Sequence, residues 1–201
     1  MDRELQQLRS IFASDNIRID KCGIGKVNAA LGAQQLINEF HPDCIISSGC
    51  AGGNGDGIEV GDVVASTELA YHDVYCGLAD DGSQVFGQVQ GMPARFQANP
   101  DLLAKARAIG VKSGLFVTGD WFVDTQGKMQ TIVDAFPEAI AVDMESAAIA
   151  QTCYKHQVPF ISFRVISDCP LKDHKASQYH NFWNTIADNS FLSTRKFIES
   201  L

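Results

Sequence analysis

The sequence lacks any concentration of positive charge and any long apolar run. Its 201 residues include 16 Lys and Arg against 24 Asp and Glu, a formal net charge of −8 at pH 7. Nucleic-acid binding needs clustered basic side chains, so we expect no nucleic-acid partner. No stretch approaches the roughly 20 apolar residues that cross a bilayer, and residues 1–5 lack the apolar core of a signal peptide. We therefore expect no membrane partner.

Several familiar site patterns are also missing. The six cysteines form no CxxC pair, the five histidines are scattered, and no Cys/His spacing matches a zinc site. The chain has no GxSxG elbow, no P-loop and no GxGxxG motif. We expect no metal and no other cofactor. Cysteines in or beside apolar runs favour buried, reduced thiols, which predicts a cytoplasmic location.

The hydrophobic pattern predicts alternating strands and helices. Hydrophobic residues make up 45% and charged residues 20% of the chain, the balance of an ordinary globule, and we expect a single domain over residues 1–201. Strands are predicted at 17–20, 43–48, 62–69, 113–118, 139–142 and 159–166. Helices are predicted at 2–12, 26–40, 101–109, 128–136, 144–156 and 179–201. This alternation is typical of an α/β fold with a mostly parallel sheet.

The sequence also predicts the apolar face of one helix and the character of two loops. On the 26–40 helix, an apolar face is predicted from residues at helical spacing: Val27, Ala30, Leu31, Ile37 and Phe40. Residues 50–57 are predicted to form a glycine-rich loop. Residues 75–98 are predicted to be irregular.

Small residues follow the 43–48 strand, where a ligand of an α/β sheet would bind. Such ligands lie beyond the carboxyl ends of the strands. The sequence GCAGG at 49–53 would let backbone N–H groups approach a ligand, although glycine-rich turns also occur without one.

Acidic residues follow two later strands. Asp143 and Glu145 come where a strand turns into a helix, and they read either as site carboxylates or as a helix cap and a surface residue. Asp168 follows a strongly apolar strand. Desolvation there would raise its pKa and make it a proton donor, although capping a helix is an equal alternative.

A third acidic residue lies beside two aromatic ones. Asp120 precedes Trp121 and Phe122 at the end of the 113–118 strand. The aromatic rings would form either a flat apolar surface for a heterocycle or a part of the core.

These segments together resemble the 5′-methylthioadenosine/S-adenosylhomocysteine nucleosidases of the nucleoside phosphorylase superfamily. The resemblance covers nearly the whole chain. It is carried, in order, by GIGKVNAA at 23–30, GCAGG at 49–53, VGDVV at 60–64, YHD at 71–73, GDWF at 119–122, VDMESAAIA at 142–150 and RVISD at 164–168. It implies a three-layer phosphorylase-like fold, with a central mostly parallel or mixed sheet flanked by helices.

The resemblance implies a hydrolase of methionine salvage that releases adenine from methylthioadenosine and S-adenosylhomocysteine. Asp168 would protonate adenine N7, and Ser167 would hold Asp168 or the base. Phe122 would stack on adenine, and Val123 would supply backbone hydrogen bonds to the base edge.

The sugar side of the site is implied in the same way. Glu145 would bind the ribose hydroxyls, with Met144 packed against the sugar, and Glu4 would activate the attacking water. Further substrate contacts would come from Ile24, Cys50, Ala51 and Gly52. Cys50 stands where the family usually has Ser.

The resemblance implies that other segments would bind the 5′ substituent. Candidates are Met1, Phe86, residues 88–93 and Tyr179, some of them from a partner subunit. The long irregular region at 75–93 carries apolar residues that a monomer would expose, and it predicts a homodimer.

The sequence departs from the family at its N-terminal region. Family members have a strand before Glu4 and strand segments where only residues 9–21 stand here, so we expect a shortened region and a weaker placement of Glu4.

Three alternatives to the hydrolysis of thioadenosines remain. Phosphorylases of the superfamily carry an Arg where this chain has Ser47, so water is the expected nucleophile, and Arg164 is expected to brace the structure. The other two are a nucleosidase for another adenosine derivative, such as aminodeoxyfutalosine, and a non-catalytic nucleoside-binding protein.

Overall fold

The structure, a computed structural model, describes residues 16–77, 85–172 and 192–201, together with Leu5, Gln6, Leu8, Arg9, Phe12 and Phe182. Met1, Glu4 and Tyr179, three of the predicted site residues, lie outside the described residues. The predicted terminal helices, 2–12 and 179–201, are therefore described only in part.

Six strands and five helices are described. The strands are β1 (Ile45–Gly53), β2 (Val63–Tyr71), β3 (Phe96–Gln97), β4 (Lys112–Thr118), β5 (Ala139–Asp143) and β6 (Phe160–Asp168). The helices are α1 (Lys26–Phe40), α2 (Pro100–Ala108), α3 (Gln126–Ala135), α4 (Ser146–His156) and α5 (Leu192–Ile198). None of these helices is long and apolar enough to cross a membrane.

The strands form one mixed sheet in the order β3-β2-β4-β5-β1-β6. Among the described residues, β1–β6, β2–β4 and β4–β5 pair in parallel, whereas β1–β5, β2–β3 and β2–β6 pair antiparallel. Because β2 also pairs with β6, the strands β2, β4, β5, β1 and β6 close into a ring. The α/β prediction is confirmed, and the mixed sheet has its two longest ladders, β1–β6 and β2–β4, in parallel.

Strand β1 ends five residues later than predicted, at Gly53, and takes in the first four residues of the predicted glycine-rich loop. Cys50 and Ala51 pair with β6, and Gly52 and Gly53 pair with β5, so the first half of the predicted loop is strand. At Gly53 a Cβ atom would lie 2.6 Å from Ile166 Cγ2. The small residues here do not form a turn. They leave room for neighbouring side chains such as Ile166, so that β1 can lie between β5 and β6.

The predicted strand at 17–20 is wrong. Residues 17–23 are irregular, and the Ile19 carbonyl accepts a hydrogen bond from the Arg9 side chain at 3.1 Å. Within the described chain no strand pairs with this segment.

The predicted apolar face of α1 is also wrong in part. The buried residues are Ala29, Ala33 and Ile37, whereas Val27 and Leu31 are 70% and 64% exposed. The alanines let α1 lie close to α4, and both helices contribute to the main core. The larger side chains of Val27 and Leu31, on the adjacent face of the helix, remain on the surface.

The six cysteines carry free thiols, as predicted. Cys153 and Cys169 are buried, but Cys76 is exposed, which corrects the expectation of buried thiols at that position. Its place in the irregular region after β2 accounts for the exposure.

Candidate active site

A cavity of about 440 Å³ opens at the ends of β1, β5 and β6. Strand β1 lies between the other two, and Gly52 pairs with both Val142 and Asp168. The lining includes most of the predicted site residues: Ile24, Cys50, Ala51, Gly52, Phe122, Val123, Met144, Glu145, Ser167 and Asp168. Residues as far apart in the sequence as Ile24 and Asp168 thus line one concave surface.

Asp168 is the last residue of β6 and faces this cavity. Burial raises the pKa of its carboxyl group, which the hydrogen bond from Ser167 Oγ to Oδ1 at 2.7 Å offsets in part. A Cβ atom at Gly52 would touch Asp168 Oδ2 at 3.7 Å, so the glycine keeps a side chain away from this oxygen. Asp168 can therefore hold a proton and deliver it to a molecule in the cavity.

Glu145 immediately precedes α4 and also lines the cavity. Its Oε1 accepts a hydrogen bond from the Gly25 backbone N–H at 3.2 Å, and its Oε2 lies 3.6 Å from the Arg164 guanidinium. Burial raises the pKa of Glu145, which the nearby Arg164 charge counteracts in part. The side chain is 17% exposed, so it can reach a ligand hydroxyl.

Asp143 also lines the cavity, but both of its carboxylate oxygens are hydrogen-bonded within the protein. Its Oδ2 accepts a hydrogen bond from Arg164 Nε at 2.8 Å, and its Oδ1 accepts one from Thr118 Oγ1 at 2.6 Å and others from the backbone N–H groups of Glu145 and Ser146. Burial by itself would raise the pKa of Asp143, but the Arg164 charge and these hydrogen bonds lower it overall. Of the two alternatives for Asp143, the helix cap is therefore the one observed.

Arg164 also lines the cavity, but it is buried and braced, as expected. Besides Asp143, it contacts Ser146 Oγ at 2.8 Å, and Ser146 Oγ lies 2.7 Å from Ser162 Oγ. A buried guanidinium needs such partners, because an uncompensated charge in the interior is costly.

Aromatic side chains form an exposed wall of the cavity. Phe122 is 56% exposed and Trp121 is 43% exposed, so they do not belong to the core. Trp121 packs edge-on against His72, with ring centroids 5.4 Å apart. Val123 packs against a buried apolar cluster to which both β4 and α3 contribute. An exposed ring at the mouth of a cavity is suited to stacking on a flat heterocycle.

Two predicted residues are placed elsewhere. Asp120 lies outside the cavity lining, and its Oδ1 accepts the Lys26 backbone N–H at 2.8 Å at the start of α1. Phe86 also lies outside the lining and packs against Phe136 and Tyr75, at centroid distances of 6.0 and 6.3 Å. In this chain by itself, Phe86 does not contribute to the cavity.

One wall of the cavity was not predicted from the sequence. Residues 19–22, together with Leu5 and Leu8, line it. Cys22 directly precedes the GIGK segment, which was the one signal available for it. In the described part of the chain, no group of three or more His, Cys, Asp or Glu side chains is arranged to hold a metal ion.

Comparisons with known proteins agree with this geometry. The model of the phosphorylase superfamily matches residues 9–199. A 5′-methylthioadenosine/S-adenosylhomocysteine nucleosidase of Staphylococcus aureus (strain MRSA252) is 42% identical over 197 residues, which is 95% of this chain and 83% of that protein.

Solved structures of the same nucleosidases match closely. The Neisseria meningitidis nucleosidase in complex with methylthio-immucillin-A gives a TM-score of 0.87 at 36% identity, covering 100% of this chain and 96% of that one. The Colwellia psychrerythraea 34H nucleosidase in complex with adenine gives 0.86 at 29% identity, covering 100% and 92%. The chain therefore belongs to the phosphorylase superfamily and, within it, to the 5′-methylthioadenosine/S-adenosylhomocysteine nucleosidases.

Proposed function

We propose that this protein hydrolyses the N-glycosidic bond of methylthioadenosine and S-adenosylhomocysteine and releases adenine. The observation that carries the proposal is the placement of Asp168 and Glu145 in one cavity, beside the exposed ring of Phe122. The names and bound ligands of the related nucleosidases point to the same substrates.

The chemistry follows from the two carboxyl groups. Asp168, whose pKa is raised by burial, donates a proton to N7, so that adenine leaves as a neutral molecule. Glu145 binds the ribose hydroxyls and stabilises the positive charge that develops on the sugar as the bond breaks. Glu4 is proposed as the base that activates water.

Water rather than phosphate is the proposed nucleophile. A phosphate dianion requires cationic partners. Arg164 faces the cavity, but its charge is already paired with Asp143, and Ser47 stands where the phosphorylases carry an Arg.

An assay of adenine release tests the proposal directly. Purified protein is incubated with methylthioadenosine, S-adenosylhomocysteine or aminodeoxyfutalosine, with and without phosphate, and the products are separated. We expect adenine and a free thioribose from the first two substrates at a rate independent of phosphate. A requirement for phosphate would indicate phosphorolysis, cleavage of the third substrate alone would reassign the specificity, and binding without cleavage would indicate a non-catalytic protein.

Glu145→Gln should weaken both binding and turnover. The amide keeps the shape of the side chain but loses the charge-assisted hydrogen bonds to the ribose, each worth about 1.5–3 kcal/mol. We expect kcat/KM to fall by about 10- to 100-fold, with changes in both KM and kcat, because the contact exists in the ground state and in the transition state.

A substrate without the 2′-hydroxyl provides the control for this assignment. The wild-type enzyme should discriminate against it, and Glu145→Gln should discriminate much less. Equal relative rates on the two substrates for both proteins would remove Glu145 from sugar recognition.

We propose that the protein is a homodimer. Apolar side chains on the surface of α1 and of the segment before it are widely exposed, with Ile24 at 58%, Val27 at 70% and Leu31 at 64%. Such a patch is costly in water and typical of a protein interface. A partner subunit seated there would also lie beside Ile24 at the mouth of the cavity.

Leu31→Asp should convert the dimer to a monomer, because it would bury an unpaired charge in the interface. Sedimentation at micromolar concentration should give about twice the chain mass of 21.9 kDa for the wild type and the single mass for the variant. Thr131→Asp, which adds the same charge to the exposed side of α3, is the matched control and should remain dimeric. A wild-type protein that sediments only as the monomer would disprove the proposal.

We propose a cytoplasmic location. The free thiols at all six cysteines fit a reducing compartment, where disulfides do not persist.

A further inference from the structure

Three charged side chains beside the cavity link three separate elements. Lys26 is the first residue of α1, Asp73 follows β2, and Asp120 follows β4. None of them lines the cavity, so none is a candidate for contact with substrate. We call them the Lys26 network.

The hydrogen bonds of the Lys26 network form a closed circuit. Lys26 Nζ donates to both carboxylate oxygens of Asp73, at 2.7 and 2.8 Å. The Asp120 backbone N–H donates to Asp73 Oδ2 at 2.8 Å, and Asp120 Oδ1 accepts the Lys26 backbone N–H at 2.8 Å. Each element is thus fixed to the other two.

Close packing reinforces the circuit where β2 and β4 end. A Cβ atom at Gly119 would lie 2.3 Å from His72 Cε1 and 2.8 Å from Asp73 Cγ. The His72 backbone N–H also donates to the Thr118 carbonyl at 2.9 Å. The loop that follows β4 therefore rests directly on Asp73, with no side chain between them.

The residues next to the network in the sequence contact the proposed sugar-binding carboxylate on one side and form the proposed base-binding wall on the other. Gly25, immediately before Lys26, donates its backbone N–H to Glu145 Oε1 at 3.2 Å. Trp121, Phe122 and Val123, immediately after Asp120, line the cavity wall proposed to hold the base. A shift of the network would therefore move the Glu145 contact and the aromatic wall together.

We propose that Lys26 and Asp73 are positioning residues that hold the sugar-binding carboxylate and the base-binding wall in one geometry. The inference rests on the proposed function, because it concerns the same cavity. A bidentate ion pair between partly buried groups, with side chains 23% and 10% exposed, is suited to this role, since solvent screens it less than a surface pair.

Lys26→Met removes the ion pair and keeps most of the side-chain length. We expect kcat/KM to fall by at least about tenfold, mainly through KM, because misplacement of binding groups by about 1 Å can cost as much as 100-fold. The affinity for adenine, measured by calorimetry, should fall as well. Lys112→Met is the matched control, because it removes another Lys–Asp contact, to Asp62 at 2.6 Å, outside the cavity and should leave these constants unchanged.

A double-mutant cycle separates positioning from simple stabilisation. If Lys26 acts through the Gly25–Glu145 contact, the effects of Lys26→Met and Glu145→Gln on KM should not be additive, as expected of coupled neighbours. Additive effects, or an unchanged KM in a folded Lys26→Met protein, would overturn the inference.

A second pair of variants keeps the test decisive if Lys26→Met fails to fold. Asp120→Ala removes the acceptor for the Lys26 N–H and should raise KM, whereas Asp120→Asn retains an acceptor oxygen and should restore most of the affinity. Equal KM values for these two variants would count against the network. A wild-type protein that binds adenine but releases none from either substrate would refute the proposed function alone, since the adenine affinities still test the network.

Discussion

Replacing Asp168 with Asn should lower kcat by about 10²–10⁴-fold, the usual contribution of a general acid. The amide has nearly the same shape and can keep the hydrogen bond with Ser167, but it has no proton to give to N7. Adenine binding, measured by calorimetry, should change little. A variant with more than half of the wild-type kcat would remove Asp168 from the mechanism.

The same substitution should make the folded protein more stable at neutral pH. Because burial raises the pKa of Asp168 in the folded state, the folded protein binds the proton more tightly than the unfolded chain. The favourable contribution of this group is present at low pH and is lost as the pH rises through the raised pKa. Asn carries no charge and avoids this loss.

Urea unfolding at two pH values tests the prediction. Asp168→Asn should have a higher free energy of unfolding than the wild type at pH 8, and the difference should shrink towards pH 4. A difference of the opposite sign at pH 8 would mean that the carboxylate is well solvated in the cavity.

Asp143→Ala should lower the free energy of unfolding by about 3–5 kcal/mol, the usual cost of removing one partner of a buried ion pair. Arg164 is 3% exposed and would keep its charge without its closest partner. The backbone N–H groups of Glu145 and Ser146 would also lose their acceptor. Urea unfolding, followed by circular dichroism, measures the loss.

Asp124→Ala is the matched control for this effect. Asp124 forms a surface ion pair with Lys128 at 2.7 Å, four residues further along the chain, and exposed pairs of this kind contribute little to stability. A loss of stability in Asp143→Ala no larger than that in Asp124→Ala would show that Arg164 does not depend on Asp143.

The order of elements and the carboxyl groups of the site could be read from the sequence. Helix α1 begins and ends where predicted, at Lys26 and Phe40, because Pro42 follows an amphipathic stretch. Asp168 and Glu145 were identified because acidic residues at strand ends coincide with family motifs. Their catalytic and sugar-binding roles stay predictions until the variants are measured.

Periodicity could not decide which stripe of α1 is buried. Both stripes carry apolar side chains, and the choice of Ala29 and Ala33 over Val27 and Leu31 depends on how closely α4 approaches. Nor could the glycines of β1 be distinguished from a turn, because the same small residues serve either to bend a chain or to let two strands close around a third.

The sequence by itself therefore determined the class of fold, the family and the chemical groups in the cavity, because these depend on local pattern and on motif. Only the tertiary structure decided which acidic residues are paired within the protein and which are available to a ligand. Asp143 pairs with Arg164, Asp120 caps α1, and Glu145 and Asp168 remain open to the cavity. The reason is that the protonation and availability of a carboxyl group depend on which charges and N–H groups lie within about 3–4 Å, and the partners here come from distant parts of the chain.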